Sequence, residues 1–219
     1  MKIKAIIFDL DGVICFTDEY HYQAWKKMAD DLGVYFDREI NNRLRGVSRM
    51  ESLEIILERY NGPALSTAMK EALAIKKNTI YRESLRQMSP SDLLPEVKAA
   101  LDALREKGLK LAIGSSSKNT PFILERLGLD TFFDAVSDGN NITHSKPNPE
   151  VFLKAAAFLG LAPGACIVVE DAVSGAQAGH AGGFQVACVG DASRAGAGDF
   201  NLSGISDLLK VINEGNKEI

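Results

Sequence analysis

The chain has 219 residues, 46% hydrophobic and 25% charged, a composition that excludes a disordered chain and fits one packed domain with a sizeable insertion. Its formal charge of -4 excludes the basic face on which nucleic-acid binding relies, and its five tyrosines and one tryptophan are not interleaved with basic residues. Three widely separated cysteines (Cys15, Cys166 and Cys188) lack metal-ligand spacing and read as reduced, small core residues of a cytoplasmic protein.

The N-terminal stretch MKIKAIIFDLDG starts basic and runs apolar, but it meets Asp9 and Asp11 too soon for a secretory leader or a membrane span. Within it, Ala5–Phe8 is apolar throughout, the pattern of a strand buried on both faces of a parallel sheet. From about Asp18 to Met88 the chain changes character. The runs YHYQAWKKMADDLG, SRMESLEIILERYN and STAMKEALAIKKNTIYRESLRQM have helical periodicity and contain no convincing strand. That is too much helix for one crossover, so the spacing predicts a separate helical domain inserted after the first strand. Its connections fall near Cys15–Asp18 and near Ser89–Leu94, where SPSDLLP and the prolines Pro90 and Pro95 supply turn chemistry.

Beyond the insertion, short β-rich runs alternate with amphipathic stretches. Lys110–Gly114, Ala135–Ser137, Ile167–Val169 and Val186–Val189 read as strands. Glu96–Lys107, Pro121–Leu127, Pro149–Leu159 and Ser174–Ala181 read as helices, with Gly108, Gly128 and Gly160 at C-terminal cap positions. The expected fold class is α/β: a Rossmann-like parallel sheet core made of residues 1–15 and 90–219, with an inserted α-helical cap domain at 16–89. The last thirty or so residues support no functional reading.

In such a sheet, ligands collect at the carboxyl ends of the strands. Asp9-Leu10-Asp11-Gly12 follows the first strand, Ser115-Ser116-Ser117-Lys118-Asn119 the second, Lys146-Pro147 the third, and Glu170-Asp171 the fourth. Each has an ordinary explanation taken alone: an Asx turn, a polar helix cap, a surface lysine, or carboxylates at a helix N-terminus. Their coincidence on one rim points to a site. Crowded carboxylates repel one another unless a cation sits among them, and an all-oxygen donor set suits Mg²⁺. A carboxylate nucleophile attacking phosphorus gives an aspartyl-phosphate, and the charge spreading over the equatorial oxygens calls for a hydroxyl, backbone N–H groups and a lysine. Asp9 suits the nucleophile, Ser115 and Lys146 the phosphate-holding groups, and Asp11 the general acid and base.

This set of motifs resembles the haloacid dehalogenase superfamily, and the helical insertion resembles the cap of its first subclass. The segments YHYQAW, LRGVSRMESL, KKN, SSSKN and SKPNPEVF look like its β-phosphoglucomutase branch, and the likeness runs to about residue 190. The resemblance implies that Asp9 and Asp11, the latter through its backbone carbonyl, join Glu170 and Asp171 as metal ligands. It implies that Ser115, the N–H groups of Leu10 and Ser116, and Lys146 hold the transferring phosphate, while Arg49, Ser117, Lys118 and Asn119 hold a second phosphate. Trp25, Leu44, Gly46, Val47, Ser52 and Lys77 would line the sugar site, with His21 near Asp11 and Thr17 as the hinge that places Asp11. Phe16 and Ser116 depart from that pattern, since relatives carry Asp and a small residue there.

The activity so implied is interconversion of β-D-glucose 1-phosphate and D-glucose 6-phosphate, through the aspartyl-phosphate and β-glucose 1,6-bisphosphate as intermediate and primer. A sugar-phosphate phosphatase is the nearest alternative. A phosphoacceptor signalling module fits less well, because a switch gains nothing from the general acid Asp11. The expected partner is a small sugar phosphate, with no nucleic acid and no membrane, and a monomer is the default state.

Overall fold

The computed structural model describes residues 3–215. Six strands form one sheet, all pairs parallel: β1 (Ala5–Phe8), β2 (Lys110–Gly114), β3 (Ala135–Ser137), β4 (Cys166–Glu170), β5 (Gln185–Cys188) and β6 (Phe200–Asn201). Their spatial order is β3-β2-β1-β4-β5-β6, so β1 lies between β2 and β4 where the winding reverses. Phe8 pairs with Ile113 on one side and Val169 on the other, which brings the ends of three strands level.

The two-residue period of the strands sorts the core into two layers. Ile6 and Phe8 face a cluster with Leu101, Leu104 and Ile123, from α5 (Pro95–Glu106) and α6 (Thr120–Arg126). Ala5 and Ile7 face Val151, Phe152 and Ala155 of α7 (Glu150–Phe158) and Ala176 of α8 (Val173–Ala181). Gly108, Gly128 and Gly160 adopt left-handed φ of 74°, 69° and 70°, as the cap pattern required.

Between β1 and β2 lie α1 (Asp18–Asp31), α2 (Arg38–Asn42), α3 (Arg49–Leu57) and α4 (Thr67–Leu85), with no strand among them. They have a core of their own, in which Trp25, Met28 and Ala29 of α1 meet Phe36, Ile40, Leu53, Ile56 and Ala74. Ala24 of α1 and Tyr81 and Leu85 of α4 instead join the sheet-side cluster, which roots this unit on the sheet. Ser48 caps α3 in a box with Glu51, and Ser89 and Asp92 form a similar box in the returning turn.

Four elements lie where no periodicity marked them. α2 is a single short turn started by the Asp37 carboxylate, β6 has two residues, and α9 (Gly190–Arg194) and α10 (Leu208–Gly215) complete the C-terminal part. β4 also runs one residue further at each end than the apolar run Ile167–Val169, because Glu170 stays paired with Cys188 and is buried. All three cysteines are free and buried. Among the described residues no helix is long and apolar enough to cross a membrane.

Candidate active site

Asp9 leaves the end of β1 with its N–H bonded to the Val169 carbonyl at 2.9 Å, so the flanking strand fixes where its carboxylate points. Lys146, reached through a cis peptide to Pro147, is 1% exposed and donates at 2.5 Å both to Asp9 Oδ1 and to Glu170 Oε1. Glu170 Oε2 accepts from the N–H groups of Asp171 and Ala172, each at 2.9 Å, which fixes its second oxygen. Gly12 makes this packing possible: its φ is +86°, and a Cβ there would stand 2.1 Å from Asp171 Oδ2.

Asp9, Glu170 and Asp171 place one carboxylate oxygen each within 4.8 Å of one another. Burial holds the Asp9 carboxyl well above its ordinary value, with Glu170 and Asp171 adding to the rise and Lys146 opposing it. Burial likewise pushes Asp171 up to about 7, again with help from Glu170. Burial alone would lower Lys146, yet Asp9 and Glu170 hold it above its usual value. One ammonium does not balance three buried carboxylates, and the Arg45 guanidinium approaches Asp171 only to 3.6 Å. The oxygen donors and the excess negative charge fit a hard divalent cation such as Mg²⁺, with Asp9, Glu170 and Asp171 to hold it.

Asp11 sits two residues beyond Asp9, on the far side of the same turn. Thr17 Oγ1 donates to Asp11 Oδ1, and the Thr17 hydroxyl is itself bonded to the buried Tyr81 hydroxyl at 2.9 Å. Burial raises the Asp11 carboxyl above its ordinary value and the Thr17 hydrogen bond opposes that rise. A carboxyl raised in this way is better suited to give a proton than a free one.

The helical unit contributes a row of cations. Lys77 is 2% exposed, yet its ammonium meets no carboxylate in an ion pair among the described residues. It lies 4.8 Å from the Trp25 ring centre and 4.4 Å from that of Tyr81, and 2.9 Å from His21 Nδ1. Where Lys77 is an ammonium it donates to His21 Nδ1, and the ring's other nitrogen, Nε2, faces Asp11 Oδ2 at 3.9 Å. Burial lowers both groups well below their ordinary values; Arg49 adds to the Lys77 shift, and Lys77 and then Arg49 to that of His21. Arg49 is itself half-buried and meets no carboxylate among the described residues.

These groups enclose a cavity of about 540 Å³ between the helices and the sheet. It is lined by Asp9, Asp11, His21, Trp25, Leu44, Gly46, Val47, Arg49, Ser52, Lys77, Ser115, Ser116, Ser117, Lys118, Asn119, Glu170 and Asp171, so most residues singled out from the sequence share one cavity. Leu10, Thr17 and Lys146 do not line it: Leu10 is buried in the core, and the other two stand behind Asp11 and Asp9. Ser115 Oγ accepts from the Ser117 N–H and Ser117 Oγ from the Asn119 N–H, which gives the loop after β2 its shape. The Asn119 amide is already engaged: it donates to Asn78 at 2.9 Å and accepts from Arg82 at 3.4 Å, both on α4.

Arg45, Tyr81, Ser174 and Asn78 escaped the sequence reading. Arg45 reaches Asp191 at 2.6 Å and Asp18 at 3.7 Å as well as Asp171, so it ties the helical unit to the sheet edge. Its one legible signal is its place between Leu44 and Gly46, which were themselves singled out. His144 and His180, given no role, pair with Glu150 and Asp199 outside the cavity.

Known proteins resemble this chain over most of its length. The family model for haloacid dehalogenase-like hydrolases matches residues 3–183. A β-phosphoglucomutase of Bacillus subtilis (strain 168) is 40% identical over 214 residues, covering 97% of this chain and 95% of that one. The fructose-1-phosphate phosphatase YqaB of Escherichia coli (strain K12) is 32% identical over 183 residues, covering 84% of this chain and 94% of its own. A crystal structure of a β-phosphoglucomutase from Clostridium difficile superposes with a TM-score of 0.91 at 34% identity, over 99% of this chain and 98% of that one.

Proposed function

The chain belongs to the haloacid dehalogenase-like hydrolases, and from that premise we propose that it is a phosphomutase interconverting β-D-glucose 1-phosphate and D-glucose 6-phosphate. Its core would comprise residues 1–15 and 90–219, and its cap residues 16–89.

In this reading an Asp9 carboxylate oxygen bonds to phosphorus as the bond from phosphorus to the leaving oxygen breaks, giving an aspartyl-phosphate. Asp11 protonates the leaving oxygen, then takes the proton from the sugar hydroxyl that receives the phosphoryl group back. The bound β-glucose 1,6-bisphosphate turns over and returns its other phosphate to Asp9. Lys146, the Ser115 hydroxyl and the N–H groups of Leu10 and Ser116 hold the transferring oxygens. Bound among Asp9, Glu170, Asp171 and the Asp11 carbonyl, Mg²⁺ would neutralise charge on the phosphoryl group. Thr17 keeps Asp11 in place, and His21, whose imidazole is lowered by burial and then by Lys77, faces the same carboxyl.

The observation that carries the proposal is the pair of cations in the cavity that Asp9 also lines. Arg49 and Lys77 share one cavity, repel each other, and lack carboxylate partners among the described residues. A second phosphate relieves that repulsion, and a bisphosphate brings one while the first sits at Asp9. Lys118, exposed on the sheet side of the same cavity, adds to the anchor, with Ser117 beside it. Trp25, Leu44, Val47 and Ser52 are left to face the sugar. A sugar-phosphate phosphatase is the competing reading, favoured by the likeness to the Escherichia coli enzyme; it needs the Asp9 end alone.

Arg49→Ala separates the two. It should cut isomerisation about 100-fold or more, the scale of a lost charge-assisted anchor, while hydrolysis of p-nitrophenyl phosphate falls much less. Equal losses in both would remove the second phosphate site from the account.

A further inference from the structure

The helical unit touches the sheet at a loop that carries much of the sugar wall. Arg45 and Gly46 lie between α2 and α3, where no helix or strand pairs their carbonyls. Ser174 Oγ donates to the Arg45 carbonyl at 3.1 Å, and Ser116 Oγ donates to the Gly46 carbonyl at 3.0 Å. Ser116 stands on the loop after β2 and Ser174 in the first turn of α8 after β4, so the two hydroxyls rise from either flank of the strand that bears Asp9. They grip consecutive carbonyls.

The approach is close. Gly46 has φ of +78°, and a Cβ there would lie 2.4 Å from Ser174 Oγ. The glycine therefore serves twice, by allowing the left-handed turn and by leaving room for the hydroxyl. Leu44 and Val47 flank the gripped pair and Arg49 follows, so the position of two carbonyls sets the position of three side chains that line the cavity.

We infer that Ser116 and Ser174 are positioning residues that dock loop 44–49 on the sheet, and so decide whether phosphorylated Asp9 passes its phosphoryl group to a sugar or to water. The inference rests on the mutase reading. While both hydroxyls hold the loop, the cavity excludes water and presents Arg49 to the distal phosphate. Without them the loop lifts, water reaches Asp9, and phosphate is released instead of returned to the sugar. Neither serine touches the reacting atoms through its hydroxyl.

The test uses Ser116→Ala, Ser174→Ala and the double variant, with glucose 6-phosphate formation and phosphate release followed together from β-glucose 1-phosphate. Loss of two net hydrogen bonds should raise phosphate released per isomerisation about tenfold in the double variant, with a smaller rise in each single. A second readout is glucose 6-phosphate binding, followed by fluorescence of Trp25, the one tryptophan of the chain and part of the cavity wall. Its Kd should weaken about tenfold in the double variant. A partition ratio and Kd equal to those of the wild type would overturn the inference, as would parallel loss of both reactions with unchanged Kd. Should the wild type itself release phosphate without isomerising, the mutase reading fails, and the Kd comparison still decides whether the serines dock the loop.

Discussion

Asp11 shows how little separates an ordinary turn from the general acid and base proposed for it. Asp-x-Asp-Gly is common turn chemistry, and here the second aspartate also bridges to Cys15 and accepts from Thr17. What marks it is its half-buried place in the cavity wall, where desolvation raises its carboxyl above the ordinary value. Asp11→Asn should keep the fold and lose turnover by about 10²- to 10⁴-fold, the scale of a missing general acid and base. Near-normal turnover would end that assignment. Lys77 offers a second check at this scale. Its charge adds to burial in lowering the His21 imidazole. Replacing it in Lys77→Met removes a positive neighbour from the protonated ring, so the His21 pKa should rise toward its ordinary value in an NMR titration. No movement would mean that burial and Arg49 set it, and that the close pair with Lys77 adds nothing to the shift.

At the scale of elements, legibility followed periodicity. The runs of β1, β2 and β3 matched their strands at both ends, since each is a short, mostly apolar run of the kind a helix-covered parallel sheet takes up. The long helices α1 and α4 were equally plain. What escaped were pieces too short to repeat: α2 is a five-residue turn held by its Asp37 cap, and β6 exists because Phe200 and Asn201 complete the edge beside β5. The site divides in the same way. Residues delivered by strand ends (Asp9, Ser115 and Glu170) could be placed from sequence order alone. Arg45, Asn78, Ser174 and Tyr81 could not, because their roles arise from contacts with residues more than forty positions apart in the chain. The Lys77–His21 contact belongs to that class too, and the family likeness brought both residues forward without disclosing the bond between them.

For the molecule as a whole, the charges are arranged by wall. Carboxylates crowd the strand ends, while Arg49 and Lys77 come from the helices that cover them. The carboxylate wall carries more negative charge than Lys146 offsets, so a divalent cation bound there should stabilise the fold by mass action. At Mg²⁺ about 100-fold above its Kd the gain is about 2.7 kcal/mol. The thermal midpoint should therefore rise with Mg²⁺, return to its starting value with EDTA, and respond much less in Asp171→Asn. A midpoint indifferent to Mg²⁺ would argue that the three carboxylates hold no such ion.

The central claim is that Asp9 passes a phosphoryl group between two positions of one sugar rather than to water. The most direct test supplies β-glucose 1-phosphate, Mg²⁺ and a trace of β-glucose 1,6-bisphosphate. Glucose 6-phosphate is coupled to its dehydrogenase while free phosphate is assayed in the same reaction. The account predicts glucose 6-phosphate accumulating with little phosphate released. Phosphate release without glucose 6-phosphate would contradict it and leave a phosphatase built on the same nucleophile.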